Sequence, residues 1–163
     1  MTSPLPVYFS PCGGCTAAIV NALTLAVSSV LVQAYDFTSA TIAAAILAAK
    51  ARGLSVQIIL DPADLAERGC QWQAFQAAGI PVLIDRQHAI AHNKIIILDS
   101  HVVITGSFNF TFAAEYHNAE NIVIIDDAPT AALFVTNWQL HAAHSFPPQP
   151  PVVQPVSAPS AIF

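Results

Sequence analysis

The sequence predicts an α/β fold, a mixed β-sheet sandwiched by helices in a single domain. Three observations carry this expectation. Strand-like and helix-like runs alternate along most of the chain. Leu54–Leu60 is nearly continuously apolar, as in a central strand covered on both faces. One tight hairpin, His92–Leu98 and Val102–Thr105 joined at Asp99-Ser100-His101, makes the sheet mixed.

Taken in order, residues 14–28 place Ala, Ile, Val and Leu at helical spacing and predict the first helix. Val30–Phe37 alternates and is rich in strand formers. Ser39 is an N-cap for an Ala-rich helix running through Lys50–Ala51, with Gly53 as its stop. Pro62 stands where helices begin, which predicts a third helix over Pro62–Ala78, ended by Gly79. Pro81–Ile84 reads as a short strand and Asn121–Ile125 as another. Pro129–His141 reads as a final helix whose Leu133, Phe134, Trp138 and His141 cover one face.

The 163 residues suit one domain with a hydrophobic core. Residues 1–144 are expected to form it. From 145 to 163 the character changes: half of the twelve prolines fall there, without periodicity, as in an extended or disordered tail. Charged residues make up 9% of the chain, against roughly 25% in an average domain, which suggests an oligomer or a membrane-adjacent protein. The basic residues are Lys50, Arg52, Arg68, Arg86 and Lys94 alone, and the net charge is −5, so no broad basic field awaits a nucleic-acid backbone. Thr16–Ala34 is uncharged and near membrane-spanning length, but polar residues and Ser28-Ser29 split it into helix and strand, so no stable span is expected. Met1–Ser10 lacks the basic segment of a signal peptide. Cys12-Gly-Gly-Cys15 has redox or zinc spacing, yet no second C-x-x-C accompanies it and Cys70 stands alone; it reads as a glycine-flexed loop.

The chemistry concentrates around the hairpin. His92 and Lys94 are two apart on a predicted strand and so share a face. The return strand delivers Gly106-Ser107-Phe108-Asn109 to the same sheet end. An imidazole can attack phosphorus, while an ammonium, a hydroxyl and a carboxamide can neutralise charge on the equatorial oxygens. A lone His-x-Lys is ordinarily a solvated strand face, and Gly-Ser-x-Asn ordinarily a turn. The whole string His92-x-Lys94-x4-Asp99-x6-Gly106-Ser107-x-Asn109 is different: it resembles the HxKxxxxD signature, with its GSxN extension, of the phospholipase D superfamily. Val7–Pro11, Ala34–Ser39, Ala78–Val82, Gly106–Thr111 and Asn118–Asn121 further resemble its bacterial Nuc-type endonucleases, over residues 7–141.

The resemblance implies a ping-pong mechanism in which one histidine becomes a phosphohistidine and a second, from another copy of the motif, protonates the leaving oxygen. Lys94, Ser107 and Asn109 match its phosphate-binding positions, Glu120 the acid that orients the histidine, and Asp99 the motif aspartate, which looks more structural than chemical. It also implies export from the cytoplasm. This chain has one His-x-Lys, so a homodimer with a shared active site is expected. No cofactor and no metal ligand set is expected, because no carboxylate cluster adjoins the motif. Nucleic acid, DNA or RNA, is the first substrate expected and phospholipid the second, which the sparse basic charge would suit. His141 and His144 have helical ligand spacing but read as helix-end surface, and His88, His101 and His117 as loop or turn residues. Glu115 reads as surface.

Overall fold

In the computed structural model, which describes residues 5–148, thirteen segments follow one another. They are β1 (Val7–Phe9), α1 (Cys15–Leu25), β2 (Ser29–Ala34), α2 (Ala40–Ala51), β3 (Ser55–Leu60), a 3-10 turn (Pro62–Ala66) and α3 (Trp72–Ala77). Then come β4 (Val82–Ile84), β5 (Lys94–Leu98), β6 (Val102–Gly106), α4 (Phe112–Tyr116), β7 (Asn121–Asp126) and α5 (Ala128–His144). The strands form one sheet in the order β1-β7-β6-β5-β2-β3-β4. β2, β3 and β4 run parallel, as helical crossovers require, and the other pairings are antiparallel. The expected mixed α/β sandwich is the architecture found.

Strand alternation divides the core between two layers. On β5 every residue is buried: Ile96 and Leu98 face the larger core with α1, α2 and the rings of Phe37, Phe75, Phe108 and Phe110. Ile95 and Ile97 face the smaller one, where Ile59, Val103 and Trp138 of α5 meet. Each such side chain contributes roughly 1.5–3 kcal/mol of burial. Trp138 also donates its indole N–H to the Val32 carbonyl at 2.9 Å, fixing α5 across the sheet.

Local signals explain most boundaries. Ser39 accepts from the Ile42 amide at the start of α2. α1 begins at Gly14 without a side-chain cap of its own, and Glu115 supplies one from a distance, accepting from the Gly14 and Thr16 amides at 3.1 and 2.7 Å. Glu115 is therefore buried rather than surface. Arg52 donates to the Leu23 and Ala26 carbonyls at the other end of α1, so one of the few basic groups is held by the fold. α1 ends at Leu25 and β2 starts at Ser29, the split expected of the uncharged run. No helix among the described residues is long and apolar enough to cross a membrane.

Several expectations are corrected. Pro62–Ala78 is not one helix. Asp64 turns inward to accept from the Phe37 amide and the Cys70 thiol, and Gly69 takes φ +86°, so the chain breaks into a 3-10 turn and α3. β1 and α4 are short elements that periodicity does not reveal. On α5, Leu133 is exposed, and Ala131 with Trp138 forms the buried stripe. His141 and His144 do not lie on helix-end surface, nor is His88 a free loop residue: all three converge on Asp85. Phe146 pairs with Ile84 on the β4 edge, so the proline-rich segment starts in extended, docked form. Its remainder, 149–163, lies outside the described residues, as do Met1–Pro4.

Cys15 and Cys70 are thiols whose ionisation burial opposes, at about 11 and about 12, and Cys12 is exposed. None of the three is in a disulfide.

Candidate active site

The antiparallel register Ile95↔Thr105 sets Lys94 beside Gly106, one step further along the ladder. Lys94 also pairs with Ala34, so Tyr35 emerges beside it. The segment after β6 then runs along the end of β2: Phe110 bridges Phe37, and the Phe110 amide donates to the Asp36 carbonyl. One sheet end thus gathers Tyr35, Asp36, His92, Lys94, Ser107 and Asn109.

β5 begins at Lys94, so His92 lies just before the strand rather than on it. The two side chains nevertheless meet on Tyr35. The His92 ring packs edge-on against the phenol at 4.7 Å between centroids, and Lys94 Nζ sits 5.0 Å above the same ring. Lys94 is 7% exposed and donates to the His92 carbonyl at 2.7 Å, while the His92 side chain faces solvent. Burial pulls the Lys94 pKa down, and the charges of Glu120 and Asp36 pull it back up. A half-desolvated ammonium held in this way is a strong, preoriented partner for a phosphate oxygen.

Ser107 accepts from the Asn121 amide and side chain at 3.1 and 3.4 Å, which occupies its lone pairs and leaves the hydroxyl proton to donate. Asn109 holds Oδ1 buried without a partner, and its Nδ2 makes no bond to the described residues. That nitrogen is a second neutral donor. Gly106 is needed for backbone reasons: a Cβ there would collide with the Asn121 carbonyl.

Glu120 lies near enough to act on Lys94 through its charge, but among the described residues it bonds Asn118 Nδ2 at 3.3 Å and does not reach His92. Asp99 stands at the opposite end of β5 from Lys94, away from Ser107 and Asn109. Its carboxylate accepts from the amides of Val27, Ser28 and Ser29 and from the Ser28 hydroxyl. Burial alone would raise its pKa, and these bonds outweigh burial and lower it. The site residues legible in the signature are joined by two that are not. Tyr35 supports both His92 and Lys94. Asp36 keeps Oδ1 buried and unpaired, and its carboxyl is pushed up to about 6 by burial, then by Asp64 and Glu67, with Lys94 opposing. Their only sequence signal is the stretch Ala34–Ser39.

Residues 19–139 match the family described as cardiolipin synthase, PLD-like domain. A phospholipase D of Rickettsia conorii is 44% identical over 136 residues, 83% of this chain and 68% of that protein. The mitochondrial cardiolipin hydrolase of Mus musculus is 33% identical over 121 residues, 74% of this chain and 55% of that protein. Among solved structures, the phospholipase D family member Nuc from Salmonella typhimurium superposes with a TM-score of 0.84 at 35% identity, covering 90% of this chain and 99% of Nuc. NucT from Helicobacter pylori shares the fold, with a TM-score of 0.80 at 20% identity, covering 88% of this chain and 98% of NucT. With the signature in register and the fold in common, the chain belongs to the phospholipase D superfamily of phosphodiesterases.

Proposed function

We propose that the chain hydrolyses phospholipid phosphodiesters, through a phosphohistidine on His92, as a homodimer that shares one site. His92 attacks phosphorus, and the P–O bond to the leaving alcohol breaks as the partner copy's histidine gives that oxygen a proton. The same histidine then takes a proton from water, whose oxygen attacks phosphorus and breaks the P–N bond. Lys94, Ser107 and Asn109 hold the phosphoryl oxygens through both steps. Lys94 supplies the positive charge, so no metal is assigned to the chemistry.

The observation that carries the lipid reading is the exposed aromatic surface that follows Asn109 in the chain. Three residues beyond Asn109, Phe112 is 65% exposed and stacks with exposed Tyr116 at 4.4 Å, an aromatic lip suited to an acyl–headgroup boundary. Basic charge is scarce in the chain as a whole: of five Lys and Arg, Lys94 is buried and Arg52 is bound to carbonyls, while Arg68 and Arg86 are exposed. The names of the phospholipase D and cardiolipin hydrolase relatives point the same way. Nucleic-acid cleavage is the second reading, favoured by the likeness to Nuc over nearly its whole length.

The test is a substrate panel of phosphatidylcholine and cardiolipin vesicles, single- and double-stranded DNA, and RNA, with EDTA present well below the unfolding temperature. Headgroup release that changes little between 50 and 200 mM salt is expected. Turnover of nucleic acid alone, with binding that weakens steeply over that salt range, would overturn the lipid reading.

A further inference from the structure

Away from the phosphate-binding groups, three imidazoles from two distant parts of the chain meet at one buried carboxylate. Asp85 follows β4 and is fully buried. His88 Nδ1 stands 3.0 Å from Asp85 Oδ2, His141 Nδ1 2.7 Å from the same oxygen, and His144 Nε2 3.3 Å from Oδ1. Four potential ligand atoms, one per residue, lie within 4.8 Å of one another. The imidazole centroids are 4.9, 5.3 and 5.4 Å apart.

We infer that Asp85, His88, His141 and His144 form a structural site for a divalent transition-metal ion of the zinc type. Three neutral nitrogens and one carboxylate oxygen are a donor set that zinc takes tetrahedrally, and four protein ligands leave no open position for catalysis. Ligands about 2.0–2.1 Å from zinc are about 3.3 Å from one another, close to the three Asp85–histidine distances, and all four ligand atoms lie within 4.8 Å.

Ordinary hydrogen bonding accounts for only part of the cluster. His141 and His88 are aligned to bond the carboxylate. His144 Nε2 is buried and 3.3 Å from Oδ1 but poorly aligned to bond it, and among the described residues it has no other partner. A metal ion would engage all three. The Gln87 amide, donating to Asp85 Oδ1 at 3.1 Å, already fixes the carboxylate, and the Ser145 hydroxyl holds the His141 carbonyl at 2.8 Å. The side chains of His88, His141 and His144 are 43, 15 and 23% exposed, so an ion can enter from solvent.

The site has a structural consequence. It fastens the last turn of α5 to the β4–β5 connection, which is pinned again where the Ala91 amide donates to Asp61 at 2.7 Å. His92 is the next residue. With metal at Asp85 and Asp61 bonded to Ala91, that connection would be held at both ends and His92 steadied, without the metal touching substrate.

The test is titration of the metal-stripped full chain with Zn²⁺ by calorimetry, and with Co²⁺ by visible absorption. Expected are one ion per chain, a rise in Tm on binding, and the intense visible bands of tetrahedral Co²⁺ without the thiolate charge-transfer band that Cys12 and Cys15 would give. His144→Gln and His141→Asn should each weaken binding by at least about a hundredfold. Circular dichroism of each variant establishes that it is folded. Should His141→Asn unfold, His144→Gln alone decides. No stoichiometric uptake by the stripped wild type, uptake with a thiolate band, or unchanged affinity in a folded His144→Gln would overturn the assignment.

Discussion

The two ends of β5 carry the same signature to different purposes. At the Lys94 end the buried ammonium is only partly satisfied, the Oδ1 atoms of Asn109 and Asp36 lack partners among the described residues, and His92 is exposed. At the Asp99 end every acceptor is engaged: three consecutive amides and a hydroxyl fill the carboxylate, and Asp99 and Ser100 take positive φ in the hairpin turn. At these two ends, the groups short of partners are those assigned to the proposed chemistry, and the fully paired carboxylate serves the fold. A single sequence motif spans both, because holding β5 in register at Asp99 also sets where its other end presents His92 and Lys94.

The sharpest break of this comparison is at the Lys94 end. His92→Asn is expected to lower phosphodiester turnover by at least about 10³-fold, and Lys94→Met by about 10²–10³-fold. The His92→Asn Tm should stay within about 2 °C of wild type, because the side chain is exposed. Rate assays with matched thermal melts check both halves. A His92→Asn enzyme with more than trace activity would remove His92 from the chemistry.

Asp99→Ala should show the opposite pattern. Losing the charged acceptor of the Val27–Ser29 amides and straining a residue at φ 55° should cost about 2 kcal/mol, or roughly 4–8 °C in Tm. Asp99→Asn, which tolerates the turn, should lose less. In both variants turnover well below Tm should remain within about threefold of wild type. A collapse of activity in a folded Asp99→Asn would place the aspartate in the chemistry after all.

The smallest effect concerns Asp36. Its folded pKa, about 6, lies above the ordinary 3.8, so its contribution to stability is fully present below pH 3.8 and lost as pH rises through 6. Asp36→Asn should therefore melt higher than wild type at pH 7.5, with the difference shrinking towards zero near pH 4. Melts of the pair at both pH values check it. A difference that ignores pH would mean that Asp36 is not the titrating group.

How much of this was legible in the sequence follows from how local each signal is. The hairpin puts His92, Lys94, Asp99, Ser107 and Asn109 within eighteen residues, so a contiguous string reports most of the candidate site. Ser39 and Gly53 mark α2 by short-range chemistry alone. Pro62–Ala78 misleads because Asp64 is drawn inward by Phe37, a tertiary contact that no periodicity carries. Tyr35 reaches the site through the β2–β5 pairing. The histidine cluster is the extreme case: 56 residues separate Asp85 from His141, and only the packing of α5 against the sheet brings them together. Spacing hints at the His141–His144 pair and says nothing of its carboxylate.

The shared site is the central claim, and mixing tests it most directly. This sequence contains one His-x-Lys, and the proposal takes the nucleophile and the proton donor from two copies across a two-fold axis. His92→Asn protomers are denatured with wild type in equal amounts, refolded together and assayed. Because a hybrid dimer lacks one of the two histidines, about one quarter of the wild-type activity is expected, that of the wild-type homodimers alone. Activity of about one half, or a monomer that turns over substrate at assay concentration by sedimentation, would contradict it.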